Sequence, residues 1–151
     1  MKYFKTLILF SVLLSFSANA LLEVNIIKSK EELFPVVIAP FEVIGEAQQG
    51  AEIANIIRDN LNRSGQFNAL STDELVTNQI DFNFWQEHKK DAVVFGKIEQ
   101  VSSKVFNIYI YIYDVFSEKS LYAKKIAVHN SGIRRIAHYL SDRIYYVLLG
   151  Q

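Results

Sequence analysis

The chain has 151 residues, 50% of them hydrophobic, with 16 Lys and Arg against 16 Asp and Glu and no cysteine. One domain is expected at this length, and without disulfides its stability must come from an ordinary apolar core. Balanced charge argues against a nucleic-acid partner, since phosphate binding draws on clustered Lys and Arg, and the missing cysteine excludes N-terminal lipidation of the bacterial lipoprotein kind.

Residues 1–20 read as a cleavable secretory signal. Lys2 and Lys5 precede the uncharged run "TLILFSVLLSFS", and "ANA" supplies the small-x-small pattern that signal peptidase accepts, with the cut expected after Ala20. An N-terminal membrane anchor is the alternative, but a run of about a dozen apolar residues falls short of the ~20 that span a bilayer. Cleavage removes two lysines and leaves 14 basic residues against 16 acidic ones, a net charge near −2. The mature protein is expected to be soluble, with no transmembrane anchor.

Residues 21–30 form an N-terminal arm, in which a short β-prone run turns into the charged "KSKEE". The rest, residues 31–151, is expected to be one domain. "FPVVIAPF" at 34–41 is an unbroken apolar run between two prolines, which suits a strand buried on both faces. Residues 49–63 place Ile53, Ile56, Ile57 and Leu61 at helical spacing before Ser64-Gly65 stops the helix. "FNALS" at 67–71 is a second short strand, "STDEL" a brief helical turn, and 81–90 a short helix with Phe82 and Trp85 inward. Residues 91–102 form a strand in which Gly96 signals a bulge or a close backbone approach.

The clearest alternation is "KVFNIYIYIYDVF", where Phe106, Ile108, Ile110 and Ile112 point one way and Asn107, Tyr109, Tyr111 and Tyr113 the other. "LYAKKIAVH" at 121–129 completes an antiparallel meander. A last helix buries Ile133, Ile136, Ala137, Leu140, Ile144 and Val147 or Leu148, and Gly150 caps it. The pattern predicts an α/β fold: a single sandwich domain, a mixed sheet of about five strands with helices packed on one face.

Little here suggests catalysis. His88, His129 and His138 sit in three different elements without a ligand partner at metal spacing, so neither a metal nor a cofactor is expected. Arg134, His138 and Asp142 fall at i, i+4 and i+8, which permits a small hydrogen-bonded ladder on the last helix. Gly45 and Gly50 lie in a plain connecting loop between strand and helix, without the pattern of a phosphate loop, and Ser64, Ser71 and Ser131 lack the context of a hydrolase nucleophile. Two features bear instead on binding. Tyr109, Tyr111 and Tyr113 share one sheet face, either covered by neighbouring side chains or open as a docking patch. The arm can tuck against its own sheet or add to another protein's sheet edge by backbone pairing.

Taken in order, the signal, "VVIAPF", "IIRDNLNRSGQFNAL", a Trp ahead of "DAVVFGKI", and "IAHYLSDRIYYVLLG" resemble the amino-terminal domain of the TolB family, periplasmic proteins of the Tol-Pal envelope system. The resemblance covers nearly all of the mature chain, most specifically at 59–70 and 136–150. It implies an α/β sandwich followed by a six-bladed β-propeller that binds Pal, and an N-terminal strand that binds TolA. By position, that strand is Leu21, Leu22, Glu23, Val24, Asn25, Ile26, Ile27 and Lys28. Gly150-Gln151 is then expected to be a domain junction, and Pal binding is not expected of these residues because the propeller is absent from them.

The expected function is therefore that of a periplasmic, non-enzymatic module acting in outer-membrane integrity and envelope constriction at division, with the TolA periplasmic domain as partner. A stand-alone module regulating other envelope or wall-building proteins, with the Tyr109, Tyr111 and Tyr113 face as its contact, is the alternative. An enzyme comes third for want of an assembled site.

Overall fold

The computed structural model describes residues 33–45 and 49–150. The described elements are β1 (Phe34–Ile38), β2 (Glu42–Ile44), α1 (Gly50–Arg63), β3 (Phe67–Ser71), α2 (Phe82–Glu87), β4 (Ala92–Gln100), β5 (Val105–Asp114), β6 (Ser120–His129) and α3 (Ile133–Leu149). The strands form one six-stranded sheet in the order β3-β1-β4-β5-β6, with β2 also on β4. β1 is parallel to β3 and β4, whereas β4, β5 and β6 are an antiparallel meander. The expected mixed sheet is present, and its additional strand is the short β2.

β2 arises because the run 34–41 does not stay a single strand. β1 stops at Ile38, Ala39 still donates its N–H to the Val94 carbonyl at 2.9 Å, and Pro40 then has no N–H to offer. The chain steps out at Phe41 and returns beside β4 as β2, three residues of what the sequence presents as plain loop. Phe41 turns its ring into the core and is 2% exposed. Its ring occupies the space above Gly96, where an added Cβ would lie 2.6 Å from Phe41 Cδ1 and would also collide with the Tyr109 carbonyl. Gly96 is thus the close backbone approach that its place inside a strand suggests. Gly50 answers the same side chain's backbone, because a Cβ there would strike the Phe41 carbonyl.

The two long helices cover one face. Ile53, Ile57 and Leu61 of α1 and Ile133, Ala137, Leu140 and Ile144 of α3 meet Val36, Ile38, Val94 and the inward row of β5 in the larger core. Phe106, Ile108, Ile110 and Ile112 are all at most 4% exposed. Each such side chain contributes about 1.5–3 kcal/mol when fully buried, so a one-residue slip of β5, which would turn all four outward, is strongly disfavoured. The short α2 packs on the other face, where Trp85 joins Val37, Ala39, Val93, Phe95 and Val115 in a smaller core.

Local departures from expectation have local causes. "STDEL" forms no helical turn; Thr72 Oγ1 accepts from the Glu74 N–H at 3.2 Å and holds a bend instead. The ladder on α3 also does not form, because His138 turns to α1, where its Nδ1 lies 2.8 Å from Asn60 Nδ2. Asp81 caps α2 by accepting from the Phe84 N–H at 3.0 Å. Gly150 closes α3 in the left-handed conformation, φ 69°, with its N–H on the Tyr146 carbonyl at 2.9 Å.

A methyl group at position 96 has no room on either side, so Gly96→Ala is expected to lower stability by about 1–3 kcal/mol. Urea denaturation measures this directly, and an unchanged midpoint would contradict the assigned packing of Phe41.

Candidate interaction surfaces

The two surfaces singled out by sequence fare differently. Residues 21–28 lie outside the described residues. Tyr109, Tyr111 and Tyr113 do share the outer face of β5, each partly buried. Their surroundings divide the row in two. Tyr111 and Tyr113 stack on Phe95 with ring centroids 5.1 and 5.9 Å apart, and Phe82 of α2 lies 6.0 Å from Tyr113. Val76 and Ile80, from the segment before α2, close over the same cluster. That end of the row belongs to the smaller core.

Tyr109 belongs to a polar cluster. Its cross-strand neighbours are Lys97 on β4 and Lys125 on β6, whose ammonium groups sit 4.5 and 5.2 Å from its ring centroid. Its hydroxyl donates to Glu99 Oε2 at 2.9 Å, and Asn107 Nδ2 approaches the same oxygen at 3.4 Å. These hydrogen bonds, Tyr109 first, hold the Glu99 carboxyl below its ordinary value, with Lys125 and Lys97 adding to the effect. Lys125 is held above its ordinary value chiefly by its hydrogen bond to the Tyr109 hydroxyl. The aromatic ring is therefore a spacer between two cations and one carboxylate.

Each histidine has a hydrogen-bond partner. His88 Nδ1 lies 2.7 Å from the Phe84 carbonyl and its ring stacks on Phe84, while His129 Nδ1 lies 3.0 Å from Ser131 Oγ. His138 belongs to a bridge between the long helices: Asn60 Nδ2 reaches both His138 Nδ1 and Ser141 Oγ, the latter at 3.0 Å, and Ser141 donates to the Ala137 carbonyl at 2.8 Å. An amide nitrogen carries two hydrogens, one for each partner, so Asn60 can donate to both at once. Among the described residues, no group of three or more His, Cys, Asp or Glu converges on a point that could hold a metal ion, and no helix is long and apolar enough to cross a membrane.

The structure adds two further arrangements. The Asn62 carboxamide accepts from the Ala69 N–H at 2.8 Å and donates to the Ala69 carbonyl at 2.9 Å, so it pairs with β3 as a neighbouring strand would. On α3, the Arg143 guanidinium lies over the rings of Tyr139 and Tyr146 at 5.9 and 5.7 Å. The i+4 and i+3 spacing of those aromatics around Arg143 was available in the sequence; the role of Asn62 was not, because it depends on a turn seven residues long.

Comparison with known proteins gives a consistent result. The family model for the TolB amino-terminal domain matches residues 22–121. The chain is 54% identical over 134 residues to the Tol-Pal system protein TolB of Ruthia magnifica subsp. Calyptogena magnifica, across 89% of this chain and 32% of that protein. It is 50% identical over 132 residues to the protein of the same name from Vesicomyosocius okutanii subsp. Calyptogena okutanii, across 87% and 31%. The chain thus spans about a third of the length of these relatives. Among solved structures, TolB from Acinetobacter baumannii superposes with a TM-score of 0.66 at 31% identity, over 78% of this chain and 29% of that one. The PelC dodecamer from Paraburkholderia phytofirmans, at 13% identity and a TM-score of 0.56 over 78% and 88% of the two chains, shares the fold alone.

Glu99 is lowered in the folded state, so its contribution to stability is fully present above its unfolded pKa of about 4.3 and is lost as the pH falls through the folded value. Tyr109→Phe removes the leading cause. The stability gap between wild type and Tyr109→Phe, followed by urea denaturation, is expected to be present at pH 7 and to narrow as the pH is lowered below that range. A gap independent of pH would remove the hydrogen bond to Glu99 as its origin.

Proposed function

The chain belongs to the TolB amino-terminal domain family, and we propose that it acts as a non-enzymatic interaction module of the Tol-Pal envelope system in the periplasm, contacting the TolA periplasmic domain through residues 21–28. Through that contact it takes part in outer-membrane integrity and in envelope constriction at division. The name carried by its relatives supports the system; the chemistry of the arm supports the mode. "LLEVNIIK" is an apolar, β-prone stretch of the kind that adds to an open sheet edge by backbone pairing.

The observation that carries this reading is the state of the sheet's own edges. The arm precedes β1, whose nearer edge neighbour is β3, and the free side of β3 is engaged at its middle by Asn62. The other edge, beyond β6, lies four strand spacings from β1, about 19 Å, and residues 29–33 reach that far only fully extended. Addition of the arm to the sheet edge of a partner fits this arrangement. The tyrosine row supports the same choice, since Tyr111 and Tyr113 are engaged with Phe95 and Phe82.

Deletion of residues 21–28 is expected to abolish capture of purified TolA periplasmic domain, measured by titration calorimetry, while the circular dichroism spectrum stays unchanged. Tyr109→Ser is expected to retain it. Capture that survives the deletion and disappears with Tyr109→Ser would replace this reading with a stand-alone module acting through its sheet face.

A further inference from the structure

We propose that the groove between β6 and α3 is a second docking site, which takes an extended acidic peptide as an added strand on the free edge of β6. The reasoning begins with the difference between the two ends of the sheet. At one end Asn62 fills the backbone groups of Ala69. At the other, β6 is ten residues long, and among the described residues it pairs with β5 alone and no hydrogen bond engages the outer side of its backbone between Leu121 and Val128. A long edge is a template for another strand unless something covers or repels it, and the lysines of β6 repel basic strands but not acidic ones.

The groove beside that edge has a volume of about 530 Å³, with Val128 on its strand side, Ile136 and Tyr139 on its helix side, and Arg135 at its rim. The register of β6 sends alternate side chains to the α3 side: Tyr122 opposite Ile112, Lys124 opposite Ile110 and Ile126 opposite Ile108. On α3, Ile136, Tyr139 and Arg143 follow at i, i+3 and i+7, which is one face of a helix. An added strand would find apolar side chains below it and a helix alongside, the geometry of peptide recognition by strand addition.

Charge selects the class of peptide. Arg135 lines the groove, Arg143 and Lys124 act on its Tyr139 from beside it, and the one ion pair among the described residues is Arg58 with Asp59 on α1. No carboxylate lines the groove. Tyr139 is held below its ordinary value by its hydrogen bond to Arg143, with Lys124 contributing, and the groups that act on Arg143 are Tyr139, Tyr122 and Tyr146. Arg143 Nε is buried without an acceptor. Tyrosine and arginine are the residue types that carry binding energy at interfaces. A lipid surface offers the anionic charge but not the regularly spaced N–H and C=O groups that pair with a strand edge, and a peptide offers both.

The test is a selection of random dodecapeptides on the purified mature chain. Enriched peptides are expected to carry Asp or Glu at alternating positions, to bind more weakly as salt is raised, and to lose at least tenfold in affinity for a Lys124→Glu/Arg135→Glu double variant whose melting curve is unchanged. Lys97→Glu, on the opposite face, is expected to leave affinity intact. Amide hydrogen exchange across 121–128 is expected to slow on binding. Enriched peptides without acidic residues, equal binding to the double variant, unaltered exchange in β6, or no enrichment at all would each overturn the proposal. So would sedimentation showing that copies of the chain pair through β6, or vesicles of anionic phospholipid displacing the peptides. None of these outcomes depends on capture of TolA by residues 21–28.

Discussion

The sheet is organised around the contact between Phe41 and Gly96. Pro40 cannot donate to a ladder, so the first strand must break there; the break costs pairing, and a large aromatic side chain is what fills it. Phe41 can bury its ring only because β4 carries no side chain at position 96 and because α1 begins with a residue that leaves room for the Phe41 carbonyl. Three elements therefore meet at one side chain. β4 passes beneath it, β2 departs from it, and the first turn of α1 is set against it, which fixes the helix over Val36, Ile38 and Val94.

From that arrangement follows the unequal treatment of the two faces. α1 and α3 cover the face that receives the isoleucines of β5, and the polar bridge of Asn60, His138 and Ser141 joins the two helices across the top of that core. Among the described residues, the opposite face has only the six residues of α2 and the segment before it, enough to cover Phe95, Tyr111 and Tyr113 but not Tyr109. Where cover ends, tyrosine changes role: its ring stacks in the smaller core at one end of the row and separates lysines from a glutamate at the other.

The edges are treated as unequally as the faces. A strand edge attracts other strands in proportion to its exposed length and the absence of blocking groups. β3 is short and carries the Asn62 carboxamide; β6 is twice as long and carries lysines and a flanking groove instead. The two edges thus differ in what their backbones offer an added strand.

Much of this fold is legible in the amino-acid sequence, because periodicity is a local property. The alternation from Phe106 to Tyr113 determines which side chains of β5 enter the core, the spacing of Ile53, Ile57 and Leu61 determines α1, and Gly150 determines where α3 ends. The signals that failed were those in which a distant partner outweighed a local preference. His138 has Arg134 and Asp142 within reach on its own helix, yet it turns to Asn60, 78 residues away, because α1 packs against that side of α3. Gly96 announces a close approach but not that Phe41 makes it. Whether a tyrosine is core or surface is likewise absent from the sequence, since Tyr109 and Tyr113 have the same pattern and differ only in what α2 reaches. Local order is written residue by residue along the chain; contact between faces and edges exists only once the layers are stacked.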